Sequence, residues 1–200
     1  MDAARNLEGV KVAVIVSDGF EQVEFDGPVK ALREAGAEIT VLAEDDAHVR
    51  KIHGVNHFDP AEGTAGDRII DGVSAEEFDG LLVPGGAISP DSMRQSEEHL
   101  RLVREFMTAG KPVAVICHGG WLLADAGVAE GRNLTSWPGI RRDLERAGAV
   151  WHDMEVVVDD NLVTSRMPDD IPAFSEAFID KLAEARTGTH AEGMPSSRAV

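Results

Sequence analysis

The chain has 200 residues, 43% hydrophobic and 28% charged, enough for one soluble globular domain with a substantial core. Thirty-six acidic against 19 basic residues give a formal charge of −17 with no Lys/Arg cluster to offset it, which argues against nucleic-acid binding. Met1 to Glu8 lacks an apolar signal core and no apolar run approaches ~18 residues, so neither secretion nor a membrane span is expected. A lone cysteine cannot form an internal disulfide, which suits a reducing cytoplasm.

Along the chain, strands and helices alternate. Residues 11–17 read as a first buried strand and 23–35 as an amphipathic helix stopped by Gly36. A second strand is expected at 38–43. Residues 49–70, rich in Gly, His and Asp, read as a hairpin excursion rather than a packed helix. A third strand, 78–84, ends in Gly85-Gly86, a helix spans 97–109, and a fourth strand spans 113–116. Further on, a helix is expected at 139–147, a hairpin turning at Asp159-Asp160, and a closing helix at 171–185. Residues 1–8 are read as a flexible N-terminus, 9–186 as a single domain and 187–200 as a disordered tail. Repeated β-α units imply an α/β fold, a mostly parallel sheet with helices on both faces. Chemistry in such folds sits beyond the carboxyl ends of the strands.

Three loops fall at those ends: Ser17 to Glu24, Gly85 to Asp91, and Cys117-His118. Cys117 follows the strand Val113–Ile116 and precedes Gly119-Gly120 and a helical stretch from Trp121. That is the pattern of a nucleophile elbow, with the sulfur at a helix N-terminus where thiolate is favoured. A thiol pKa below the free value of ~8.5 is therefore expected. His118 adjoins it as a candidate base. A carboxyl in the first loop, if buried, stays protonated and donates to the sulfur; acids there also serve as plain helix caps. Gly85, Gly86 and Gly119 offer backbone N–H donors of the kind that build an oxyanion hole. Asp91 can orient His118 or cap the next helix. His48, His53 and His57 lie close in sequence, but Gly54 interrupts them and no cysteine joins them, so exposed hairpin histidines are the better reading and no metal is expected.

Residues 114–119 (Ala-Val-Ile-Cys-His-Gly), 82–86 (Leu-Val-Pro-Gly-Gly), 18–24 and 135–140 resemble the PfpI-type intracellular peptidase family. So do 155–159, 162–166 and 168–170, so the likeness runs from about residue 9 to 185. The wider superfamily includes the parkinsonism-associated deglycase and class I glutamine amidotransferases. The resemblance implies a flavodoxin-like three-layer sandwich, no cofactor, and a homo-oligomer, either a dimer or a hexamer of dimers. It makes Cys117 the nucleophile, Glu21 the carboxyl that hydrogen-bonds it, and His118 the neighbouring histidine. Glu24, one turn on, is the substitute if Glu21 faces elsewhere. In peptidase members an acid from an adjoining subunit completes a triad, and its matching position here is Asp91.

Relatives carry the labels peptidase, cofactor-free glyoxalase, deglycase and stress chaperone. Aldehyde or adduct chemistry needs a thiolate and a proton relay. A peptidase also needs an oriented imidazole, an oxyanion hole and a groove for its peptide. A redox sensor or chaperone needs only a reversibly oxidised thiol. The residues rank these as small-aldehyde chemistry, then peptide hydrolysis, then sensing.

Overall fold

The computed structural model describes residues 5–188. Its strands are β1 (Lys11–Ile15), β2 (Phe20–Glu21), β3 (Glu38–Ala43), β4 (Gly54–Asn56), β5 (Asp59–Pro60), β6 (Arg68–Ile69), β7 (Gly80–Val83), β8 (Val113–Ile116), β9 (Asn133–Leu134), β10 (Val150–Trp151), β11 (Val156–Asp159) and β12 (Leu162–Ser165). The helices are α1 (Gln22–Glu34), α2 (Asp46–Arg50), α3 (Ile88–Met93), α4 (Glu97–Thr108), α5 (Gly120–Asp125), α6 (Arg141–Arg146) and α7 (Ile171–Thr187).

Seven strands form one sheet in the order β11-β12-β8-β7-β1-β3-β6. All its pairings are parallel except the β11–β12 hairpin, which turns at Asp160 with φ 54°. Strands buried on both faces must be apolar throughout, which is why β8 is simply Val-Ala-Val-Ile. Successive side chains still go to opposite sides. Ala13, Ile15, Val113 and Val115 join a core under α4, α5 and α6, with Leu102, Phe106, Leu122 and Leu144. Val12, Val14, Ala114 and Ile116 join a second core under α1 and α7, with Val29, Leu32, Phe174, Phe178 and Leu182. The expected three-layer sandwich is therefore present. Strands β3 and β7 flank β1 on opposite sides, so the chain winds both ways from β1 and leaves a crevice at the carboxyl ends of β1 and β7.

Helix α1 ends as expected at Gly36, whose φ of 100° suits glycine alone. The 49–70 excursion is an antiparallel β4–β5 pair turning at His57 (φ 59°), followed by β6, which joins the main sheet beside β3. Unexpected was α3: Asp91 sits in the first turn of this short helix rather than capping the next one. The N-terminal boundary also needs correction. Within the segment expected to be flexible, Leu7 is fully buried and Arg5 pairs with Glu176 and Asp180, because the chain packs over the end of α7 before entering β1. Residues 1–4 and the expected tail from 189 onward lie outside the described residues.

Candidate active site

Strand β8 delivers Cys117 to the edge of the sheet, where φ swings to 61° before a short 3-10 turn (Cys117–Gly119) runs into α5. A non-glycine residue in left-handed backbone costs about 1–2 kcal/mol, and such strain gathers where a side chain must be presented. The turn is held by the Trp137 N–H, which donates to the Cys117 carbonyl at 3.2 Å. Gly119 is required by closeness: a Cβ there would lie 3.0 Å from the Val83 carbonyl oxygen.

The loops after β1 and β7 close on this elbow. The Ser17 N–H donates to Ser89 Oγ at 2.9 Å, and the Glu21 N–H donates to the Gly85 carbonyl at 3.1 Å. Gly86, at φ 88°, lies so near the first loop that a Cβ would stand 2.5 Å from the Gly19 carbonyl oxygen. Tolerance for side chains here is nil.

The carboxyl that meets the sulfur belongs to Glu24, not Glu21. Glu24 is fully buried and its side chain interacts with the Cys117 thiol. Its Oε2 accepts the Gly85 N–H at 3.0 Å, while Oε1 has no other polar partner among the described residues. Glu21 precedes the first turn of α1, and its side chain turns away to accept the His57 N–H at 2.9 Å across the β4–β5 hairpin. Glu21 sits at the N-cap in extended backbone (φ −70°, ψ 113°), outside the helical periodicity, so its side chain leaves in a different direction from that of Glu24 in the first turn. The Gly85 N–H, expected as an oxyanion donor, is thereby committed to Glu24. The Gly86 and His118 N–H groups act on the sulfur instead.

His118 Nδ1 lies 3.2 Å from the sulfur. Two indoles border its ring: Trp121 at 5.1 Å between centroids and Trp137 at 5.9 Å, nearly parallel at 24°. Asp91 is exposed and makes no hydrogen bond or ion pair with His118 among the described residues. Of the three histidines, His48 on α2 and His53 meet at Asp18, and His57 does not join them among the described residues. His48 pairs with Asp45 and Asp18, and His53 pairs with Asp18.

Burial raises the Glu24 pKa to about 8, so at neutral pH this carboxyl keeps its proton. Burial and the facing Glu24 also push the Cys117 thiol up, against the pull of the His118 and Gly86 N–H groups. The expected depression is reversed because the sulfur is buried and faces a second acid, and one local dipole does not outweigh both. Thiol and carboxyl share this space, so they surrender their first proton as a pair. Burial lowers the His118 pKa, leaving its imidazole neutral and able to accept. Trp121 and Trp137 were not anticipated as site residues, although Trp121 lies three residues past His118, on the same face of a helical turn.

The chain matches the DJ-1/PfpI family over residues 10–181. It is 44% identical over 175 residues to General stress protein 18 of Bacillus subtilis, covering 86% of this chain and 96% of that protein. It is 43% identical over 173 residues to Protein/nucleic acid deglycase 2 of Escherichia coli, covering 84% and 95%. Among solved structures, a two-domain protein from Anabaena variabilis with DJ-1/ThiJ/PfpI-like and ferritin-like domains superposes with a TM-score of 0.79 at 33% identity. That match covers 96% of this chain and 52% of the other.

Proposed function

The chain belongs to the DJ-1/PfpI family, and from that premise we propose that it is a cysteine-dependent stress enzyme acting on small reactive aldehydes or their adducts, without a cofactor. One observation carries the reading. A strained cysteine at φ 61° is buried against a carboxyl that stays protonated up to about pH 8, with a neutral imidazole 3.2 Å away. The set is suited to moving a proton within a small substrate.

For a 2-oxoaldehyde, the Cys117 sulfur adds to the aldehyde carbon as its proton passes to His118, and Glu24 donates to the new alkoxide. The resulting hemithioacetal loses its C1 proton to the Glu24 carboxylate, and the same carbon pair is reprotonated at C2. This transfer gives a 2-hydroxy thioester, which water hydrolyses to the 2-hydroxy acid and free thiol. Overall, one water is consumed and no electron acceptor is needed. With hemiaminal adducts the sulfur displaces the amine at the carbinol carbon: the S–C bond forms as the C–N bond breaks, and the amine leaves with the proton His118 took from the thiol, giving the same hemithioacetal.

Peptide hydrolysis makes a further demand, an acid on His118, and in this chain Asp91 does not provide it. That reading requires Asp91 from another copy within roughly 3 Å of the imidazole. The deciding experiment assays methylglyoxal and a fluorogenic peptide side by side with wild type and Cys117→Ser. Lactate formed by wild type only, without peptide cleavage, is expected. Peptide cleavage without lactate would overturn the proposal, as would activity retained by Cys117→Ser.

A further inference from the structure

We propose that Trp121, carrying Arg94 on its ring, and Trp137 are positioning residues that hold the His118 imidazole against the Cys117 sulfur where an acid would otherwise do so. This rests on the cysteine-enzyme reading above. The Nδ1–sulfur contact is the one hydrogen bond the His118 ring makes among the described residues, and a single contact leaves the ring free to turn about its Cβ–Cγ bond. Restraint comes instead from flat apolar neighbours. Both indole centroids lie within the 4.5–7 Å range where aromatic rings attract.

The Trp121 indole is itself fixed, as a positioning group must be. Trp121 Nε1 donates to Asp143 on α6 at 2.9 Å. The Arg94 guanidinium lies 4.9 Å from the Trp121 ring centroid, and its Nε donates to Asp125 on α5 at 2.5 Å. Trp137 is anchored through its backbone, whose N–H donates to the Cys117 carbonyl, and its partly exposed indole lies over Gly139, where a Cβ would stand 2.8 Å from Nε1. An alignment thus runs from Asp125 through Arg94 and Trp121 to His118, drawing on α3, α5 and α6. The charged groups around it are Arg94, Asp125 and Asp143, and the titratable Glu24–Cys117 pair faces it from the sulfur side.

An acid on the imidazole would stabilise its protonated form, whereas indole walls keep water away and leave the ring neutral. A neutral ring is the form that takes the thiol proton. The prediction is thus specific: without the wall, the ring is both looser and wetter.

The test measures kcat and KM for methylglyoxal from about pH 5 to 9 in wild type, Trp121→Gln, Trp121→Phe and Arg94→Met. Thermal unfolding of each protein is followed alongside. Trp121→Gln should lower kcat about tenfold with KM unchanged, and should move the acid limb of the kcat profile upward, toward the ordinary histidine value of ~6.5. Phenylalanine should restore most of the rate. If Trp121→Gln does not fold, the surface change Arg94→Met carries the same expectation at about threefold. Lower stability with kcat and acid limb unchanged would overturn the proposal, and so would a Phe variant as poor as Gln. If wild type does not turn over methylglyoxal, the aldehyde reading fails separately. The positioning claim is then judged on alkylation of Cys117 by iodoacetamide: the same upward shift in its pH dependence supports it, and an unmoved profile overturns it.

Discussion

Replacing Glu24 with Gln should make the protein more stable in alkali while abolishing turnover. The wild-type carboxyl has its pKa raised from 4.5 to about 8, first by burial, so the native state holds a proton that the unfolded chain releases above about pH 4.5. Stability must fall wherever the native state binds more protons, which here means as pH rises from about 4.5 to 8. At about 1.4 kcal/mol per pH unit, that interval amounts to about 5 kcal/mol, an upper bound because Cys117 shares the titration. Domains are stable by about 5–15 kcal/mol, so a loss of even half this size moves a urea midpoint visibly. Glutamine has the same shape, its carbonyl can accept the Gly85 N–H, and it cannot ionise. Urea midpoints of both proteins, taken from about pH 5 to 9, should diverge with wild type falling faster. Iodoacetamide should still alkylate Cys117 in the variant although no lactate forms. Parallel stability curves would refute the buried, protonated carboxyl, and retained turnover would refute its part in the proton transfer.

Three further expectations concern the same fold. Gly85→Ala should cost several kcal/mol and abolish activity, because the new Cβ would stand 2.4 Å from Glu24 Oε2 and 2.6 Å from Cys117 Cβ; a urea midpoint near wild type would contradict this. Cys117→Gly should be at least as stable as Cys117→Ala, with glycine relieving about 1 kcal/mol of strain at φ 61°, and a variant clearly less stable than alanine would show that the elbow is unstrained. His99, fully buried in α4 with neither ring nitrogen hydrogen-bonded among the described residues, has its pKa lowered to about 4 by burial. Its contribution is therefore lost as pH falls from about 6.5 to 4, up to about 3 kcal/mol, and His99→Leu should flatten the acid side of the stability curve relative to wild type.

Much of the architecture was legible in the order of residues. Continuous apolar runs such as Val113–Ile116 have few uses besides a parallel strand buried on both faces, and their alternation with amphipathic stretches already implied the layered sheet. Glycines after strands and the lone cysteine located the elbow, because a sharp turn at a single side chain has a local signature. Local signatures end where contacts become long-range. Glu21 and Glu24 are equally acidic and equally placed in sequence. Only the start of α1 at Gln22, and the packing that brings its first turn against Gly85 after β7, send Glu24 to the sulfur and Glu21 to the hairpin. The direction of the thiol's pKa was hidden for the same reason. A helix N-terminus can be read from neighbouring residues, but burial against an acid from a helix 93 positions earlier arises only when β1 and β8 are folded into one sheet with β7 between them. The tryptophans around His118 and the arginine on Trp121 likewise come from separate helices and turns. Periodicity and turn chemistry act over a few residues and so determine elements and their order; proximity between distant side chains, and the dielectric they create for one another, exists only after the sheet is assembled.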